Sequence, residues 1–170
     1  NSYYHTVSVE HLEAGVDAQG KPVAWLHRSV APTIFSTFDP AAKNEAPLEL
    51  GMGVINVPFA IPNVRIENPE AVAHTRIGWF RSVNNVVHAW SIQSFVAELA
   101  HQLGKDPKDF LLELIGPPRT VDPRQQVTTP WWNYGEPFET YPIETGRLRR
   151  VVEIAAKEAG WGKQLPKGQG

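Results

Sequence analysis

Between Ala89 and Leu103 apolar residues recur at Ala89, Ile92, Phe95, Val96, Leu99, Ala100 and Leu103, and Gly104 follows. That is the three-and-four spacing of a helix with one buried stripe, ended by a residue that readily turns left-handed. A stripe of that length has to be covered by other elements, so the remaining segments are read for what could cover it. A second helix follows at once. In KDPKDFLLELIG, Asp106 stands at the cap, Pro107 at the first helical position, Asp109 in the first turn and Gly116 at the stop. A third, in TGRLRRVVEIAAKEAGWG, puts Leu148, Val151, Val152, Ala155 and Ala159 on one stripe, with Thr145 at its cap.

Upstream the pattern is extended. HTVSVEHLEAGVDAQGKPVAWLHRSVAP predicts a β-hairpin, with Val7, Val9 and Leu12 on one arm and Val23, Trp25 and Val30 on the other. Asp17 to Lys21 form the turn, where Gly20 can take positive φ. TIFSTFDPAAKNEAPLELGMG reads as loop or broken helix. VINVPFAIPNVRIEN reads as extended, because each proline pushes its predecessor towards β or polyproline geometry. AVAHTRIGW is expected to be a strand. A Pro/Trp-rich connector at about 117–143 separates the second and third helices and is expected to drape over another surface, since structureless loops of that length are rare in compact domains. A β-hairpin and extended strands packed with about three helices make an α+β arrangement. The 170 residues are read as a single domain or as a fragment of a larger subunit.

Composition removes several classes of function. There is no cysteine, which excludes disulfides, thiol nucleophiles and cysteine-ligated clusters within these residues. A net charge of −2 gives no electrostatic reason to expect nucleic acid. No apolar run approaches membrane-spanning length, and the start of the chain does not read as a signal peptide. The compartment stays open between bacterial cytoplasm and periplasm. No nucleophile elbow, Walker loop or dinucleotide fingerprint occurs, and Gly51–Gly53 (GMG) is too short to hold a phosphate. His5, His11, His27, His74, His88 and His101 are scattered without ligand spacing, so surface or packing roles are expected and no metal site. Trp131, Trp132 and Tyr134 could form a stacking platform for sugars or bases; the competing expectation is that they pin the connector to the body. Glu136 is read as a solvent-facing loop carboxylate rather than a general base.

The loop FRSVNN, immediately before the first long helix, is the strongest functional candidate. Main-chain N–H groups at a helix start lack helical partners and can meet an anion, and Arg81 adds a donor fork. The alternative is that Ser82, Asn84 or Asn85 merely caps a core helix while Arg81 pairs with a carboxylate.

HTRIGWFRSVNNVVHAWSIQSFVAELAHQLGKDPKDFLLELI resembles the molybdopterin-binding large subunit of the xanthine dehydrogenase/aldehyde oxidase family, and within it the isoquinoline 1-oxidoreductase-like subunits. VPFAIPNVRIE, AGVDAQGKPVAW and GRLRRVVEIAAKEAGWGKQLPKGQG extend the likeness, in the family's order, over nearly the whole chain. The resemblance implies a hydroxylase that oxidises an aldehyde or an N-heteroaromatic substrate with water-derived oxygen. It implies molybdenum on a pterin dinucleotide, in the cytosine form, with electrons leaving through a small [2Fe–2S] subunit. Carried onto this sequence, it places Phe80, Arg81 and Ser82 beside the cofactor. The family's arginine is followed by a glycine-rich stretch where this chain has SVNN, so Val83 and Asn84 are candidates to shape the substrate pocket. The family's catalytic glutamate lies in a segment unmatched here, and Glu136 stands in the wrong place to replace it. The expectation is therefore a catalytically incomplete fragment that binds no cofactor alone and needs the rest of the large subunit. A non-enzymatic scaffold or protein-interaction domain is the alternative.

Overall fold

The computed structural model describes residues 3–168, so the last two residues of the C-terminal motif lie outside the described residues. The hairpin forms as expected: β1 (Val9–Val16) pairs antiparallel with β2 (Pro22–Val30), and Gly20 takes φ 72° in the turn. The valines of the first arm do not form its inward face. Glu10, Leu12 and Ala14 turn inward, whereas Val7 and Val9 are exposed. β3 (Asn63–Glu67) lies parallel to β2 on its other side, giving the order β1–β2–β3. A parallel neighbour needs a long crossover. Residues 31–62 supply it, with a 3₁₀ turn (Ile34–Thr37) and the short helix α1 (Pro47–Leu50).

Two segments read as extended behave differently. In residues 54–68 the first three continue a turn, and only 63–67 is strand. AVAHTRIGW makes no strand beyond a single parallel bridge between Tyr4 and Ile77. Ile77 is the one hydrophobic side chain there that is buried, so the segment has no apolar face to hold it in a sheet.

The three long helices are α2 (Asn85–Gln102), α3 (Pro107–Ile115) and α4 (Thr145–Ala159). α3 carries the expected caps: Asp106 accepts from the Asp109 N–H at 3.0 Å, and Gly116 ends it at φ 73°. The buried stripe of α2 is His88, Ser91, Ile92, Val96 and Ala100; Ala89 is exposed, so the stripe begins one residue earlier and on polar groups. Its apolar part joins Trp25, Phe59, Ile61, Phe110, Leu114 and Ile115 in the main core, where Trp25 meets Phe59 and Phe95 edge-on.

The connector packs in part against this chain's own body. β4 (Thr120–Val121) and β5 (Ile143–Glu144) pair to close it, and Trp131 packs with Leu50, Val54 and Ile55 in a second cluster. Thr145 is not a cap but the first residue of α4. It is fully buried, accepting from the Arg119 N–H at 2.8 Å and lying 2.9 Å from the Pro117 carbonyl. α4 itself is the exception to good coverage: Leu148, Val151 and Ile154 are exposed, as is Trp161 just beyond it.

Candidate functional site

The loop before α2 is a strained, outward-facing turn. Ser82 and Val83 have φ 68° and 44°, both in the left-handed region that disfavours a side chain, and a β-branched one above all. Phe80, Arg81 and Ser82 are all exposed. The Val83 N–H donates to the Phe80 carbonyl at 3.0 Å and the Asn85 N–H to the Ser82 carbonyl at 2.9 Å. Two of the N–H groups expected to face a ligand are thus used inside the turn. Among the described residues, the main-chain N–H groups of Arg81 and Ser82 have no partner, and the Arg81 guanidinium makes no ion pair. These three donors lie on adjacent residues of one exposed turn, which suits an oxo group or an anion.

Neither Ser82 nor the asparagines cap the helix. Asn84 occupies the cap position, yet its side chain makes no cap hydrogen bond. It is fully buried and donates from Nδ2 to Glu45 Oε1 at 2.6 Å. Asn85 faces the connector, with Nδ2 at 3.4 Å from the Tyr134 hydroxyl. The WWNY segment divides accordingly. Trp131 is buried and Trp132 lies against Gly51, so both pin the connector, which removes a sugar-stacking platform. Tyr134, at φ 56°, stands exposed beside the loop. Glu136 is solvent-facing.

Beneath the turn lies a buried polar cluster that reasoning from sequence did not find. Glu45 Oε2 accepts from Ser29 Oγ at 2.5 Å, and Glu45 Oε1 lies 3.4 Å from His88 Nε2. His88 Nδ1 donates to the Met52 carbonyl at 3.0 Å. Glu10 receives His27 Nε2 at 2.7 Å and lies 4.0 Å from His88 Nε2. Burial depresses the imidazolium of His88, but the Glu45 hydrogen bond and charge, the Met52 carbonyl and Glu10 outweigh it, and its pKa is raised above 6.5. Burial likewise pushes Glu10 up, yet His27, Ser8 and the His88 charge bring it below 4.5. Ser29, His88 and Glu45 have the residue types of a hydrolytic triad. All three are buried to 2% exposure or less, so no substrate reaches them, and the cluster positions rather than reacts. Alternating polarity in β1 was the available signal: Glu10 sits where the hairpin's inward face falls.

A groove of about 880 Å³ adjoins the turn between β1 and α2, lined by His5, Glu10, Val86, Trp90 and Phe95 among others. His5 Nε2 reaches the Val83 carbonyl at 3.0 Å. Among the described residues no group of three His, Asp or Glu can hold a metal, and no helix is long and apolar enough to cross a membrane.

No protein-family model matches the chain. It is 24% identical over 123 residues to one of the nicotinate dehydrogenase subunits of Pseudomonas putida KT2440, a match covering 69% of this chain and 10% of that protein. It is 32% identical over 105 residues to a membrane-bound aldehyde dehydrogenase [pyrroloquinoline-quinone] of Gluconacetobacter polyoxogenes, covering 60% of this chain and 12% of that protein. The chain thus spans about a tenth of the length of these curated relatives. On those matches it is a distant, partial relative of dehydrogenase polypeptides.

Proposed function

We propose that the chain is one segment of the large subunit of a molybdenum hydroxylase or aldehyde dehydrogenase, and that Phe80, Arg81 and Ser82 form one wall of its cofactor site. The observation that carries the reading is the exposed left-handed turn, which presents the Arg81 guanidinium and two unpaired N–H groups together. Those donors fit the oxo and phosphate oxygens of a molybdenum pterin dinucleotide, cytosine form. When bound, that group supplies the two-electron oxidation. Arg81 would hold an oxygen by a charge-assisted hydrogen bond, and the Arg81 and Ser82 N–H groups would orient it. Phe80 would exclude water on one side. Nicotinate and aldehydes, named for the two relatives, are an N-heteroaromatic and a carbonyl substrate, the two classes this chemistry takes.

The exposed apolar stripe of α4 supports a place within a larger body, the rest of the large subunit, with electrons passing to a small [2Fe–2S] subunit. The chain alone has one wall of a site and no placed base, so it is inactive by itself. The alternative of a non-enzymatic interaction domain rests on the same stripe. The test is Arg81→Ala in the purified parent enzyme with its small subunit. Loss of turnover by about a hundredfold, the scale for removing one preorganised donor, is expected. Unchanged turnover together with unchanged molybdenum content refutes the reading. Recovery of a quinone in place of molybdenum would move the chain to the cofactor for which the second relative is named.

A further inference from the structure

We propose that Glu45 is a positioning residue, a buried carboxylate that fixes the Phe80–Arg81–Ser82 turn from beneath through Asn84. The cofactor role of the turn rests on the function proposed above; the mechanical role does not. Two successive non-glycine residues in the left-handed region do not hold that shape unaided, so the surroundings must over-determine it. The turn has two anchors. His5 Nε2 binds the Val83 carbonyl at 3.0 Å from the groove side, and Asn84 binds Glu45 from below.

The second anchor has a direction built into it. Asn84 Oδ1 is buried without a partner, so the amide is held through Nδ2 alone. Turning the amide over would aim its oxygen at the Glu45 carboxylate, which like charge density forbids. A glutamine in place of Glu45 would bond the amide in either orientation, but through a weaker, uncharged hydrogen bond that no longer fixes its direction. Glu45 is itself held by Ser29 from β2 and His88 from α2, with Glu10 of β1 and His27 of β2 behind them. The Asn84 carbonyl also accepts the His88 N–H at 3.1 Å, so the network that fixes Glu45 also fixes the start of α2. The position that would ordinarily cap the helix is given over to this contact.

The test compares Glu45→Gln and Asn84→Ala with Phe110→Leu, a core variant that sets the baseline for loss of stability alone. In the full chain, amide hydrogen exchange at Val83 and Asn85 reports opening of the turn, and exchange at Leu114 reports the core. Asn84→Ala should speed exchange at Val83 and Asn85 by about tenfold, the loss of one hydrogen bond to a charged group, and Glu45→Gln, which keeps a neutral bond, by about threefold, with Leu114 changed little in either. Phe110→Leu should move all three sites together. In the parent enzyme Asn84→Ala should lower kcat about tenfold and Glu45→Gln by less, both at unchanged molybdenum content, as expected when a positioning group slips. Exchange at Val83 and Asn85 that follows Leu114 in both variants overturns the proposal. Selective opening of the turn with unaltered kcat leaves the positioning role standing and overturns the cofactor reading instead. Should Glu45→Gln fail to fold, Asn84→Ala decides the matter by the same exchange pattern.

Discussion

Glu49 offers the sharpest test of how the crossover between β2 and β3 is held. It lies in α1, almost completely buried, and carries three donors on two oxygens. Oε1 accepts the Ile34 N–H at 2.9 Å; Oε2 accepts the Ala46 N–H at 2.8 Å and the Thr33 hydroxyl at 2.5 Å. Replacing it with alanine orphans two main-chain N–H groups that cannot turn away; the Thr33 hydroxyl can rotate. At about 1–3 kcal/mol for each orphaned buried donor, Glu49→Ala should destabilise by roughly 2–6 kcal/mol. Set against a total of about 5–15 kcal/mol for a domain, that is a large fraction. Glu49→Gln keeps one carbonyl oxygen for Ile34 and can offer its NH₂ to Thr33 Oγ, so only the Ala46 N–H is faced by another donor, and roughly 1–3 kcal/mol should be lost. Burial and the neighbouring Glu45 charge also hold the Glu49 carboxyl above its ordinary 4.5 despite its three donors, which favours a neutral isostere over truncation. Urea unfolding followed by tryptophan fluorescence measures both variants. A cost under about 0.5 kcal/mol for Glu49→Ala, or a glutamine variant less stable than the alanine one, would refute the view that this carboxylate staples the crossover.

The buried cluster makes stability depend on pH. His88 has a raised folded pKa, so its contribution is full below 6.5 and is lost as pH rises through the raised value. Glu10 is lowered, so its contribution is full above 4.5 and is lost as pH falls through the lowered value. Denaturation midpoints should therefore peak between pH 4.5 and 6.5, and His88→Gln should flatten the fall above pH 6.5; an unaltered slope in that variant would count against the cluster. Gly53, at φ 120°, brings the chain so close to α2 that an added Cβ would sit 2.9 Å from His88 Cβ. Gly53→Ala should cost about 1–3 kcal/mol in the same unfolding assay, and a neutral effect would mean that α2 can shift away from the crossover.

What could be read from the sequence was what local rules govern. The Asp106–Pro107–Gly116 punctuation of α3 and the turn at Gly20 involve neighbours in the chain, and both are found where expected. The exposed Phe80–Arg81–Ser82 turn was likewise visible as a polar break before a periodic helix. The hairpin's inward face was not legible, because valine content points to one side of β1 while burial follows the other, with Glu10 turned inward. A lone glutamate in a strand looks like a solvent residue unless its partners are known, and here the partners come from β2 and α2.

The role of Asn84 shows why such information is hidden in one sequence. Asparagine before a helix is a cap by local preference, and nothing within four residues suggests otherwise. Its amide goes instead to Glu45, thirty-nine positions earlier, and Glu45 depends in turn on Ser29 and His88. Each residue is individually ordinary: a histidine on a helix, a serine in a strand, a glutamate in a loop. Placed together in the dry space under α2 they have to satisfy one another, because an unpaired buried charge there would be far more costly than the contacts they make. That mutual need makes the cluster stiff enough to carry a strained turn on its surface, and it links the hairpin's inward glutamate to the direction in which Arg81 is presented.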